Sequence, residues 1–208
     1  HPGTTLGEPD TIYHVDSLWD LVLCYDELLE RLGVAEATLV GHSFGGMVAC
    51  EVAAHRPSRV KRLVLIDPIG LWRDEAPVVN WMLMAPTDMP AHVFRDAEGA
   101  AAKAMFAIPE DREEGALART RLTWAMGSTG KFIWPIPDKG LRKRIHRIAA
   151  PTLLVWGRED RLVPLSYAEM FAKHLPQARV EVVDEAGHAP HLEQPEAVSR
   201  LVHAFLKS

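Results

Sequence analysis

Hydrophobic positions along the chain change period in a regular order. Over residues 16–32 the apolar Leu18, Trp19, Val22, Leu29 and Leu32 recur at helical spacing with acids between them, which predicts an amphipathic helix. Asp16 or Ser17 offers its N-cap and Gly33 its stop. A short apolar run at 37–40 predicts a strand, and 46–55 reads as an apolar helix. A near-continuous apolar run at 61–67 predicts a second strand, 151–157 a buried third and 179–183 a fourth, with helices over 165–175 and 196–205. Strands that are apolar on both faces and separated by helices predict an α/β fold, a mostly parallel sheet with helices on both sides.

Two stretches break this alternation. Residues 1–13 are turn-rich, with Pro2, Gly3, Gly7 and Pro9. Residues 71–148 carry no strand pattern; Trp72, Trp81, Met82, Met84, Met89, Met105, Phe106, Trp124, Met126 and Trp134 lie among charged helical segments. A strandless stretch of roughly eighty residues exceeds an ordinary crossover and predicts an inserted helical subdomain. The chain then divides into a first core part at 1–70, the insertion at 71–148 and a second core part at 149–208. Met and Trp suit plain core and an apolar ligand pocket alike. Trp72, Trp81, Trp124 and Trp134 are the pocket candidates.

Composition narrows the class. The chain has 208 residues, 48% of them hydrophobic, enough for a substantial core. Its formal net charge of -5 argues against nucleic acid or an anionic membrane as partner. No apolar run approaches the roughly 20 residues that span a bilayer. Cys24 and Cys50 fall on predicted helix faces without metal-ligand spacing, which predicts small core residues rather than a disulfide. A cytoplasmic setting is the corresponding expectation.

Chemistry is concentrated between the 37–40 strand and the helix after it, in Gly41-His42-Ser43-Phe44-Gly45-Gly46. Strand, G-x-S-x-G and helix together predict a sharp turn with Ser43 at its apex. Gly41 and Gly45 remove Cβ atoms where the backbones pass, and Gly46 seats the helix on the sheet. The Phe44 N–H and the helix dipole would stabilise negative charge beside Ser43. A serine hydroxyl needs a base, and that base needs an orienting group. Candidates follow the other strands, where parallel sheets collect functional groups. His188 follows Gly187 in a short loop after 179–183, with His191 as competitor. His42 is expected to point into the sheet region. Asp160 lies in the loop after 151–157, with Glu159 as a solvated neighbour; Asp67, before Pro68, is expected to serve a turn.

With the chain order Ser43, Asp160, His188, the sequence closely resembles the α/β-hydrolase superfamily. The 157–164 segment GREDRLVP and the 187–196 segment GHAPHLEQPE look like that family's acid and histidine loops, and 71–148 is similar to its helical cap. The resemblance implies a serine hydrolase acting on a small carboxylic ester or related acyl compound, with no cofactor and no metal. Ser43 in place of an aspartate disfavours dehalogenase and epoxide-hydrolase chemistry. The runner-up on the same fold is a hydrolase of C–C bonds in ring-cleavage products; lactonases, thioesterases, cofactor-free haloperoxidases and acyltransferases use the same triad, and the rivals of another class are a slow-turnover ligand-binding protein retaining it and an inactive fragment. Members normally begin with further strands, one ending in a loop that supplies a second oxyanion donor. Here residues 1–7 look like the loop after the family's fourth strand. The chain is thus expected to be the C-terminal portion of a longer hydrolase, with the 37–40 strand left as an apolar edge. Lacking one donor costs roughly 10²–10³ in rate.

Overall fold

Four parallel strands form the centre of the computed structural model, which describes residues 1, 2, 4 and 9–208. They are β1 (Ala37–His42), β2 (Val60–Ile66), β3 (Thr152–Gly157) and β4 (Ala178–Val183), in the spatial order β1-β2-β3-β4. β1 runs two residues beyond the apolar pattern because Gly41 and His42 still pair with Leu65 and Ile66 of β2. The central strands β2 and β3 bury Leu63, Val64, Leu65 and Ile66 beside Leu153, Leu154, Val155 and Trp156, as strands covered on both faces require. β1 is an edge, and its Val40 is 58% exposed.

Local chemistry sets the helix ends. α1 (Leu18–Arg31) starts at a capping box: Ser17 Oγ accepts the Asp20 N–H and the Asp20 carboxylate accepts the Ser17 N–H. Gly33 follows its end at φ +68°, the left-handed conformation that glycine adopts without Cβ strain. α2 (Phe44–His55) begins two residues earlier than its apolar pattern, directly after Ser43, and is buried from Gly46 to Ala54. Both cysteines are free. Cys50 lies in the core, but Cys24 is exposed, because it sits on the outer face of α1 while Leu21 and Val22 turn inward.

Between β2 and β3 the chain forms α3 (Met89–Val93), α4 (Ala100–Met105), α5 (Arg112–Ile133) and short 3-10 turns, with no strand. Leu71, Val78, Phe94, Phe132, Ile133, Leu141 and Ile145 from this stretch join one continuous apolar cluster with Met47, Leu63, Leu65, Leu154 and Trp156. After β3 comes α6 (Ser166–His174), and after β4 the short α7 (Pro190–Glu193) and α8 (Pro195–Lys207). Val198 and Phe205 of α8 cover the opposite sheet face at Val64, Ile66, Leu153 and Val155. No helix among the described residues is long and apolar enough to cross a membrane.

One buried ion pair ties the returning chain to α2. Glu51, 1% exposed, receives Arg144 Nε at 2.8 Å and Nη2 at 2.6 Å. Arg144 lies between the turns Leu141–Lys143 and Ile145–Arg147, so this fork fixes where the β2–β3 connection rejoins the sheet. Arg144→Ala strands the Glu51 charge and is expected to cost about 3 kcal/mol in urea unfolding. Removing the exposed Lys103–Glu98 pair with Lys103→Ala is expected to cost less than about 1 kcal/mol. Equal midpoints for the two variants would show that the fork is not structural.

Candidate active site

β1 passes into α2 through a single strained residue. Ser43 sits at φ +52°, ψ -117°, a conformation that a residue with a side chain adopts only when its surroundings impose it. The surroundings are specific. A Cβ on Gly41 would overlap the Gly45 carbonyl oxygen, and one on Gly46 would meet Pro68 Cβ at 2.8 Å. Gly45 differs from expectation: a Cβ there would meet nothing within 4 Å, because it faces an open groove beside β1 lined by Leu39, Val40 and Val48. The Ser43 N–H donates to Ile66 O at 2.9 Å, and its carbonyl accepts the N–H groups of Met47 and Ile69 at 3.2 and 3.3 Å. The apex is therefore held from both β2 and α2.

Ser43, His188 and Asp160 meet above the ends of β1, β4 and β3. Ser43 Oγ lies 2.8 Å from His188 Nε2, and His188 Nδ1 lies 2.8 Å from Asp160 Oδ2. Asp160 Oδ1 accepts the N–H groups of Leu162 and Val163 at 2.8 and 2.9 Å. Asp160 and His188 are both buried. With Nδ1 protonated toward the carboxylate, Nε2 turns a lone pair to the Ser43 hydroxyl. Phe44, first residue of α2, presents its N–H ahead of the helix's own hydrogen-bond ladder.

Residues 3–195 match the family model for the alpha/beta hydrolase fold. The chain belongs to this family. It is 28% identical over 224 residues to a monoacylglycerol lipase, ABHD6, of Bos taurus, covering 100% of this chain and 65% of the relative. It is 30% identical over 192 residues to a 2-hydroxymuconate semialdehyde hydrolase of Pseudomonas putida, covering 86% of this chain and 65% of the relative. A solved meta-cleavage product hydrolase of Pseudomonas fluorescens IP01 superposes with a TM-score of 0.70 at 25% identity, covering 92% of this chain and 72% of that one. The chain thus spans about 65% of the length of those curated relatives.

In this α/β hydrolase the histidine loop has supports that the sequence patterns do not single out. The His188 N–H donates to Val93 O at 2.8 Å, at the end of α3. Glu193 accepts the Gly187 N–H at 2.6 Å and the Arg95 N–H at 2.8 Å, joining the loop to the same segment. A Cβ on Gly157 would overlap the Gly187 carbonyl oxygen, so the acid and histidine loops touch backbone to backbone. Glu159, expected to be solvated, instead accepts the Ala186 N–H at 3.1 Å, because the loops lie that close.

His42 and Asp67 also depart from expectation. His42 does not simply fill space in the sheet; its Nε2 lies 2.6 Å from His188 O and donates to it. Its ring centroid is 4.6 Å from that of His191 and 4.9 Å from that of His188. His191, the competitor for the role of base, instead packs against His42 with a buried Nδ1. Asp67 is more than a turn residue. It is fully buried at φ +42°, and its Oδ1 accepts the Gly157 N–H at 2.9 Å. Burial, reinforced by the Asp160 charge, pushes the Asp67 carboxyl well above its usual range. Asp67, Asp160 and His188 are also close enough to resemble a metal-ligand set, but both His188 ring nitrogens are already committed to Asp160 and Ser43.

The four tryptophans do not share one cavity. Trp72 and Trp81 line a space of about 130 Å³ with Ile69, Met82 and Ile133. Trp124 lines a separate one of about 620 Å³ with Tyr13, Arg119 and Lys131, and Trp134 is 51% exposed. Beside the Ser43 turn a different aromatic group forms: Phe44 stacks on Phe132 at 5.8 Å, and His1 meets both rings edge-on.

Burial, with the nearby charges of His188 and His191, holds the His42 pKa well below 6.5. An unfolded chain protonates this group from about pH 6.5 downward while the folded protein does not, so its contribution to stability is present above that pH and lost as pH falls. The wild type is expected to lose about 1 kcal/mol through this group between pH 7 and pH 5. His42→Gln should show a shallower slope in denaturant midpoints over that range. Parallel slopes would remove His42 from the account.

Proposed function

We propose that this α/β hydrolase is a serine hydrolase that cleaves a small carboxylic ester or related acyl compound through an acyl-enzyme. The observation carrying this reading is the unbroken series Ser43 Oγ, His188, Asp160, with 2.8 Å at each junction. Ser43 attacks the carbonyl carbon while His188 Nε2 takes its proton, and the resulting imidazolium is stabilised by Asp160. The oxyanion forms beside the Phe44 N–H and the N-terminus of α2. His188 then gives its proton to the leaving oxygen, and later removes one from the water that releases the acyl group. Residues 71–148 act as a cap. The bonds from Val93 and Arg95 to the histidine loop support that role, since they put this stretch against the base itself.

Cleavage of a carbon–carbon bond next to a carbonyl is the second reading, favoured by the 30% identity to a 2-hydroxymuconate semialdehyde hydrolase. It uses the same nucleophile and base on a different leaving group.

Intact-mass measurement after treatment with a fluorophosphonate is expected to show one label per chain, absent in Ser43→Ala. With p-nitrophenyl acyl esters, Ser43→Ala and His188→Ala are each expected to lower kcat by about 10⁴-fold or more. A folded protein that takes no label, or a Ser43→Ala variant that keeps its turnover, would overturn the reading. Ligand-induced thermal stabilisation without product would point to a binding protein instead. Turnover of a vinylogous 1,5-diketone in preference to esters would select the carbon–carbon reading.

A further inference from the structure

Asp67 is a buried acid for which the reaction just described has no role. It closes β2 in a left-handed conformation, and its side chain has no access to solvent. Its Oδ1 is occupied by the Gly157 N–H, whereas Oδ2 is buried with no hydrogen-bond partner. One oxygen of Asp67, one of Asp160 and one ring nitrogen of His188 all lie within 4.8 Å of one another. Two buried carboxyl groups this close do not both ionise. Asp160 holds the charge better, since it receives Leu162 N–H, Val163 N–H and His188 Nδ1–H. Asp67 receives one donor, and the proton belongs on its unpartnered Oδ2.

We propose that Asp67 is a positioning residue for Asp160: a neutral carboxylic acid that keeps the buried pair at a single negative charge and takes over that charge when Asp160 cannot carry it. The groups facing Asp67 are consistent with this. Asp160 on the acid loop and Glu193 at the end of α7 both oppose its ionisation, and the His188 ring lies beside the two carboxyl groups. With Asp160 neutralised, Asp67 releases its proton to solvent at neutral pH and remains as the anion nearest the His188 ring. The kinetic consequence rests on Ser43 and His188 being nucleophile and base; the charge distribution does not.

The test combines ¹³C NMR of aspartate carboxyl groups with ester kinetics in wild type, Asp67→Asn, Asp160→Asn and the double variant. One aspartate carboxyl is expected to be protonated at pH 7 in wild type, to vanish in Asp67→Asn, and to become ionised in Asp160→Asn. Asp67→Asn is expected to lower kcat/KM a few-fold with Asp160 present, and by at least about tenfold more when Asp160 is already Asn. Full ionisation of every aspartate at pH 7 in wild type, a protonated signal that persists in Asp160→Asn, or equal kinetic cost in both backgrounds would overturn the proposal. Should Asp160→Asn not fold, loss of the protonated signal in Asp67→Asn still decides the resting charge. Failure of the hydrolase reading is separate: it appears as turnover independent of Ser43, with the NMR signals unaffected.

Discussion

The placement of the His188 imidazole is the constraint on which the rest of the structure depends. A ring 2.8 Å from Ser43 on one side and 2.8 Å from Asp160 on the other leaves little room for error, because hydrogen bonds weaken steeply with distance and angle. Yet His188 stands on a loop, the least rigid kind of element. The fold compensates by gripping the loop backbone from several directions: His42 from β1, Val93 from the end of α3, Glu193 from α7, and the acid loop at Gly157. These grips act on backbone N–H and C=O groups and on the Glu193 side chain, leaving the ring nitrogens to Asp160 and Ser43.

A similar logic governs the Ser43 turn. The strain at Ser43 is sustained because β1 meets α2 too closely at Gly41, and α2 meets Pro68 too closely at Gly46, for any residue but glycine, while Ile66 and Met47 fix the backbone polar groups. Pre-organisation of this kind spends folding energy on geometry. Part of the compensation comes from the buried Glu51–Arg144 fork and the apolar cluster that runs without a break from the sheet into the β2–β3 connection. That continuity makes the connection part of the scaffold, so changes in it reach the histidine loop through Val93 and Arg95.

The sheet edges differ in character. β1 carries Val40 and part of Leu39 outward beside the exposed Leu28 of α1, an apolar margin next to the Ser43 turn. This explains why Gly45, unlike Gly41 and Gly46, has open space in front of it.

The strand and helix periods, the glycine spacing around Ser43 and the order Ser43, Asp160, His188 were all legible in the chain, because each is a local pattern set by backbone geometry or by residue type. Apolar runs at 61–67 and 151–157 already implied a sheet covered on both faces, and helix α1 was legible down to its choice of Ser17 or Asp16 as cap. Tertiary structure alone decided the long-range polar contacts. His42, Glu159, Glu193 and Asp67 acquired their roles only when loops distant in sequence were brought within hydrogen-bond reach, a condition that no period or spacing encodes. Likewise, four tryptophans in one stretch suggested one pocket, but aromatic content cannot say which faces of separate helices converge. Packing sent Trp72 and Trp81 to one cavity and Trp124 to another.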